Sequence, residues 1–450
     1  MVRFTDEFRQ ALAVIEDGRR HVFVTGPAGS GKSTLLSHFR ATTRRNVAVL
    51  APTGVAAVNV RGETIHSFFR FRPDITPERV TRAPSRRLYE QLETLVIDEV
   101  SMVRADLFDC IARFLELNGP QPGEPFGGVQ LVLFGDLYQL PPVVRREEEG
   151  LFRSYYDSPY FFSARCFPAL DPVQVELSEP FRQQDRGFVE LLEGVRTGEI
   201  TPEQLAQLND RVVPDPDPNA LDGYVFLTTT NARAADINNY RLRLLPGPIH
   251  RFPAEVRGEF HPGADPTDRV LHLKEGARVM LLNNDPLGRW VNGTLATVRD
   301  IRPGGDGFTV VLPDGSCEQV ERFQWDLFRF ELNGADLVPV SIGQFVQFPV
   351  RLAWAVTIHK SQGLTFERAV VDLTRPTFAH GQLYVALSRL RSLEGLMLTR
   401  PVELRHVRVD PRVHEFVTAG RTRSAQPRSS PEAAWNSPLA GDRGSGHRRA

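Results

Sequence analysis

Residues 26–33 read Gly-Pro-Ala-Gly-Ser-Gly-Lys-Ser. That spacing of glycines, lysine and serine suits one chemistry, the cradling of a nucleoside triphosphate tail. Glycines let backbone N–H groups close around a phosphate, and a helix opening at the end of the loop adds its positive pole. Gly26, Ala28, Gly29, Ser30, Gly31 and Thr34 are therefore candidate nucleotide-binding positions. Lys32 reaches toward the β- and γ-phosphates, and Ser33 is a candidate ligand for Mg²⁺.

Further chemistry-bearing residues follow downstream. Leu95-Val96-Ile97-Asp98-Glu99 is an apolar run ending in two acids, suited to a Mg²⁺-binding Asp98 and a Glu99 that deprotonates an attacking water. Gln139 lies after another apolar run, in Gly135-Asp136-Leu137-Tyr138-Gln139-Leu140-Pro141-Pro142, where an amide can sense a γ-phosphate. Only three of the 54 lysines and arginines are lysines: Lys32, Lys274 and Lys360. A lysine retained in so arginine-rich a chain suggests a need for a compact ammonium, because the two cations are not interchangeable at a phosphate. Lys360 sits in Thr357-Ile358-His359-Lys360-Ser361-Gln362-Gly363, three consecutive donors in an apolar frame. Pro52, Thr53, Thr64, His66 and Phe68 mix hydroxyls, imidazole and aromatics in a way that suits a nucleic-acid strand, although a phenylalanine such as Phe68, taken alone, is more often core.

These side chains need a scaffold. Apolar runs near 22–25, 47–51, 94–98 and 130–134 alternate with helical stretches, the rhythm of a parallel sheet covered on both faces. Residues 61–90, rich in arginine and aromatics, read as an insertion. Residues 201–223 are rich in Pro, Asp and Asn, including Pro214-Asp215-Pro216-Asp217-Pro218, and mark a boundary. Parallel texture resumes at 224–228 and returns at 368–373 and 396–399. Between them, short runs with Gly and Asp-Gly turns suggest a small antiparallel barrel.

Bulk composition narrows the class. A chain of 450 residues with 41% hydrophobic content holds two or three globular domains. The formal net charge is −1, so a polyanion must be met by local basic surface. Cys110, Cys166 and Cys317 are too scattered for a disulfide framework or a structural zinc, which points to a reducing, cytosolic compartment. No apolar run approaches the roughly 20 residues that span a bilayer. From about residue 419 the composition collapses to Arg, Ser, Pro, Gly and Ala, the signature of a disordered basic tail.

Taken together and in order, GPAGSGKS, APTGVAA with TIHSFF, IDEVSM, GDLYQLPPV, PFRQQDRGFVELLEGVRTG, TTTNARAADINNYRL, LAWAVTIHKSQG and GQLYVALSR resemble the superfamily 1 helicases of the 5′-to-3′ class, and among them the Pif (petite integration frequency) group, relatives of the RecD helicases. The resemblance covers about residues 20–400. It implies an α/β protein of two RecA-like P-loop NTPase cores, the first over 1–180 with a wedge insertion at about 61–90, the second over 181–249 and 346–418. An accessory insertion over 250–345 would include a Src-homology-3-like β-barrel at about 295–345, and 419–450 would be the tail.

The same resemblance implies ATP and Mg²⁺ between the cores. Lys32, Ser33, Asp98, Glu99 and Gln139 would come from the first, and Gly363 with the arginine fingers Arg182 and Arg389 from the second. Single-stranded DNA would lie across both, held by Pro52, Thr53, Thr64, His66 and Phe68 on one side and His359, Lys360 and Ser361 on the other. The implied activity is ATP-dependent, 5′-to-3′ translocation on single-stranded DNA and unwinding of duplex, with forks, G-quadruplexes and RNA–DNA hybrids as candidate substrates, in replication, repair or recombination, by a monomer in a bacterial-type cytoplasm, associated with the nucleoid. The alternative is a nucleic-acid-binding module with a vestigial ATPase. One departure stands out: relatives carry a glutamine that reads adenine where this chain has Phe8, and Gln10 is the nearest amide that could substitute.

Overall fold

A computed structural model describes residues 4–425 of the chain, apart from 146, 184, 215, 217–220, 222, 261–263, 303–306 and 375–378. The first half is built on six strands: Val22–Thr25 (β1), Val47–Ala51 (β2), Glu63–Thr64 (β3), Thr94–Ile97 (β4), Gln130–Phe134 (β5) and Val173–Glu176 (β6). All pair in parallel, in the spatial order β3-β2-β4-β5-β1-β6. Successive side chains point to opposite faces. Val22, Val24, Val49, Val96 and Val132 accordingly pack on one side against helices Asp6–Asp17 and Lys32–Thr42. Phe23, Leu50, Leu95, Ile97 and Leu133 pack on the other, against helix Ala105–Asn118. Burial on both faces is why these strands read as unbroken apolar runs.

A second parallel sheet has the spatial order Ala355–Thr357, Val225–Thr228, Ala369–Val371, Leu396–Leu398. The fold is therefore α/β with two parallel sheets. Helix Arg186–Thr197 and the short helix Gln382–Leu387 lie at their junction. No helix among the described residues is long and apolar enough to cross a membrane.

Three boundaries differ from the sequence reading. The antiparallel sheet placed at about 295–345 runs instead from 278 to 352, with the strand order Cys317–Val320, Phe308–Val311, Leu295–Arg299, Arg278–Leu281, Val350–Leu352. Residues 323–347 leave it to form a long hairpin, Phe323–Asn333 with Asp336–Gln347, that pairs with Glu255–Gly258. The insertion placed at 61–90 starts inside the first core, because Glu63–Thr64 is that sheet's edge strand. The tail begins later than 419: helix Pro411–Ala425 packs on the first core through Phe416, stacked on Phe162 at 4.4 Å, and through the Arg421–Glu176 ion pair. Residues 426–450, and most of the Pro214–Pro218 stretch, lie outside the described residues.

Candidate active site

The phosphate loop joins β1 to helix Lys32–Thr42, as its glycines require. Gly29 has φ +82°, and a Cβ there would lie 2.8 Å from Cβ of Arg182, so only glycine allows this approach. Lys32 Nζ donates to the carbonyls of Gly26 (2.8 Å) and Pro27 (3.0 Å). Burial pulls its pKa down, while Asp136, Glu99 and Asp98 pull it back up. Asp98 and Glu99 follow β4, and Gln139 follows β5. The site thus sits at the carboxyl ends of the parallel strands, where open α/β sheets bind ligands.

A cleft of about 490 Å³ gathers these groups. Ala28, Gly29, Ser30, Gly31, Lys32, Ser33 and Thr34 form its floor. Glu99, Gln139 and Arg182 line its near side, and Gly363 and Arg389 its far side. Gly26 and Asp98 stand behind this lining: Gly26 is buried under the Leu177 carbonyl, and Asp98 faces Lys32 electrostatically.

Glu99 has φ +50°, a left-handed conformation that costs a non-glycine residue of order 1 kcal/mol or more. Burial and the adjacent Asp98 push its carboxyl up to about 7, against the pull of Lys32 and Arg389. That value suits a general base near neutral pH. Burial likewise raises Asp98. Arg389 is 2% exposed, and burial together with the facing Arg182 pushes its guanidinium down to about 9. A buried arginine and a half-buried one facing each other make a site that favours a polyanion. Gln362 Nε2 meets Gln139 Oε1 at 3.4 Å across the cleft.

A hard cation fits the donors present. Ser33, Asp98 and Glu99 offer only oxygen, and Mg²⁺ is held by one or two carboxylates together with substrate phosphates and water. The buried hydroxyls of Thr25, Ser30 and Ser101 have no hydrogen-bond partner among the described residues. No cluster of three His, Cys, Asp or Glu among the described residues builds a self-sufficient metal cage.

Arg182 is not where the sequence put it. The Phe181 N–H bonds the Gly29 carbonyl at 2.9 Å, so Arg182 is anchored to the phosphate loop and reaches across to the Ser388 carbonyl at 2.8 Å. It bridges the two sides of the cleft and does not belong to the second core. Among the candidate DNA contacts, Thr53, His359 and Lys360 are exposed, and Pro52, Thr64 and His66 are half-buried. Thr53 and Thr64 also cap the helices that follow them. Burial holds His66 below the usual imidazole range.

Two candidates are corrected. Phe68 is 4% exposed, edge-on to Phe69, Tyr89 and Phe330, and serves the core. The Ser361 side chain is fully buried, and its hydroxyl donates to the Ile358 carbonyl. At the base end of the cleft, Phe8 and Phe181 line the wall, while Gln10 is exposed outside it. Lys274 donates to the Leu245 carbonyl and is structural.

The family model described as PIF1-like helicase matches residues 4–204. The "ATP-dependent DNA helicase Pif1" of Bdellovibrio bacteriovorus is 34% identical over 431 residues, covering 92% of this chain and 92% of that protein. The chain belongs to the Pif1 helicase family. The human "ATP-dependent DNA helicase PIF1" is 36% identical across 94% of this chain, which spans 65% of that relative's length. A Bacteroides Pif1 solved with ADP-AlF4 superposes with a TM-score of 0.86 at 36% identity, covering 94% of this chain and 98% of that one. The same Bacteroides protein bound to single-stranded DNA superposes at 0.66.

Side chains absent from the sequence reading also surround the cleft. Tyr384, Asp136 and Arg196 form a buried cluster behind the phosphate loop, and the Gln183 amide bonds the Ser388 and Leu390 carbonyls. Arg196 did carry a signal: it shares the apolar face of its helix with Phe188, Leu192 and Val195.

Proposed function

We propose that this chain is an ATP-driven motor that translocates 5′-to-3′ on single-stranded DNA and unwinds forked duplex. The convergence of Lys32, Glu99, Gln139, Arg182 and Arg389 on one cleft, with its far wall supplied by the second core, carries this reading. A nucleotide kinase or GTPase needs no second core.

The loop and Lys32 hold the triphosphate, and Gln139 contacts the γ-phosphate. Glu99 takes the proton of the attacking water once its own carboxyl has ionised. Arg182 and Arg389 neutralise charge that grows on the transferred phosphoryl group, an effect worth ~10³–10⁵ in rate. Ser33 and Asp98 would hold Mg²⁺, which would supply further charge neutralisation. Hydrolysis removes the polyanion that the two arginines require, and the cleft relaxes.

Pro52, Thr53, Thr64 and His66 grip the strand from the first core, and His359 and Lys360 from the second. Alternation of the two grips moves the enzyme. The relatives solved with single-stranded and forked DNA support this substrate. The chain acts as a monomer in a reducing cytoplasm, on nucleoid DNA. The test is ATP hydrolysis with and without single-stranded DNA. DNA stimulates the wild type, and Lys32→Ala abolishes turnover while still binding the strand. A wild-type chain that binds DNA but turns over no ATP would establish the vestigial reading instead.

A further inference from the structure

Behind the phosphate loop, on the side away from the cleft, one hydroxyl joins three functional segments. The Ala28 N–H donates to Tyr384 Oη at 2.9 Å. Tyr384 Oη in turn lies 3.2 Å from Asp136 Oδ2. A tyrosine hydroxyl has one proton, so it accepts from Ala28 and donates to Asp136. Asp136 Oδ2 also accepts from Gln139 Nε2 at 3.3 Å. Asp136 Oδ1 accepts from the Tyr138 N–H at 3.2 Å and pairs with Arg196 at 3.3 Å. Arg196 is itself 1% exposed and lies over the Tyr138 ring at 4.6 Å. Burial and Asp136 hold the Tyr384 hydroxyl far above the usual phenol range, so it keeps its proton.

Tyr384 lies on Gln382–Leu387, five residues before Arg389, and Arg389 Nε bonds back to the Val385 carbonyl of that helix. The phosphate loop, the Gln139 segment and the arginine helix are thus tied at one atom, by residues 356 and 248 positions apart. The ring is packed and cannot follow one segment without the others. Ordinary core tyrosines satisfy one partner. This one satisfies two, both belonging to the ATP site.

We propose that Tyr384 is a positioning residue that sets the register between the phosphate loop and Arg389, so that the arginine meets the γ-phosphate only when the loop is correctly formed. This rests on the reading of the cleft as an ATP site. Tyr384→Phe keeps the ring and removes the link. Its expected effect is an about tenfold fall in kcat for DNA-stimulated ATP hydrolysis, with KM for ATP and the affinity for a fluorescent ADP analogue within about twofold of wild type.

The deciding readout is a double-variant cycle with Arg389→Lys. If Tyr384 acts through Arg389, adding Tyr384→Phe to Arg389→Lys costs less than about twofold more. Multiplicative losses overturn the proposal. So does an unchanged kcat in Tyr384→Phe, or a loss of ADP-analogue binding, which would mark a general structural role. Wild-type ATPase, measured alongside, tests the cleft reading separately: if it is absent, that reading fails first, whatever the variants do.

Discussion

Gly381→Ala should cut ATP turnover although it replaces no residue that lines the cleft. Gly381 has φ +72°, and a Cβ there would lie 2.4 Å from the carbonyl oxygens of both Tyr138 and Gln139. Two costs follow. Left-handed backbone costs a non-glycine residue ~1–2 kcal/mol. The clash is with backbone on both counts, so no side-chain rotation relieves it. Restoring an ordinary contact of 3.4 Å means moving helix Gln382–Leu387, which leads into Arg389, by about 1 Å. A displacement of that size at a reacting centre costs ~10²-fold. The control is Gly315→Ala, at φ +86° in a turn of the accessory sheet with nothing within 4 Å of the added Cβ, which pays the backbone cost alone. Steady-state ATPase with saturating single-stranded DNA should fall about 100-fold in Gly381→Ala and stay near wild type in Gly315→Ala. Binding of a fluorescent ADP analogue, which reports the phosphate loop, should persist in both. Gly381→Ala with kcat within threefold of wild type refutes the close-contact argument, and so does an equal loss in Gly315→Ala.

Other consequences are as direct. Glu99, raised from 4.5 to about 7, must be ionised to act, so kcat should climb as pH rises through about 7 in a pH–rate profile, and Glu99→Gln should show only a flat residue of activity. The same shift bears on stability. The protonated, raised carboxyl favours the folded state below pH 4.5, and that contribution is lost as pH rises through about 7, so the melting temperature of Glu99→Gln should exceed wild type at pH 8 and match it near pH 4.5. With Phe8 in place of an adenine-reading amide, kcat/KM for ATP and GTP should lie within about tenfold, and Phe8→Gln should widen the gap by a hydrogen bond's worth, ~0.5–1.5 kcal/mol. Phe68→Ala should lower the melting point through a cavity costing ~3–5 kcal/mol, while folded Lys360→Ala should weaken strand binding and flatten its salt dependence. If Phe68→Ala melts like wild type and loses only DNA affinity, its assignment to the core is wrong.

What the sequence made legible follows from how local the constraints are. The phosphate loop announces itself because its backbone demands glycines at fixed offsets. The parallel strands do so because burial on both faces leaves only apolar residues. The acids after β4 and the amide after β5 inherit their places from those strands. Contacts made across the fold were hidden. Phe68 could be offered as a stacking residue at all because its cover, Phe330, arrives on a hairpin far along the chain, whose backbone also bonds Glu63. That hairpin was itself misplaced, since its alternation fits a barrel wall as well as an arm packed on another core. Arg182 was assigned to the wrong side because nothing local reveals that Phe181 bonds Gly29. Tyr384 stood inside a recognised motif, yet its partners Ala28 and Asp136 can be named only from the folded chain.

The central claim is that one cleft, bridged by Arg182 and closed by Arg389 opposite Lys32, drives motion along DNA in one direction. Strand separation of duplexes carrying a single 5′ tail or a single 3′ tail, with ATP and Mg²⁺, tests it most directly. The wild type should unwind the 5′-tailed duplex and leave the 3′-tailed one paired, and Lys32→Ala should unwind neither while still binding both tails. Equal unwinding of the two duplexes, or unwinding by Lys32→Ala, would contradict the account.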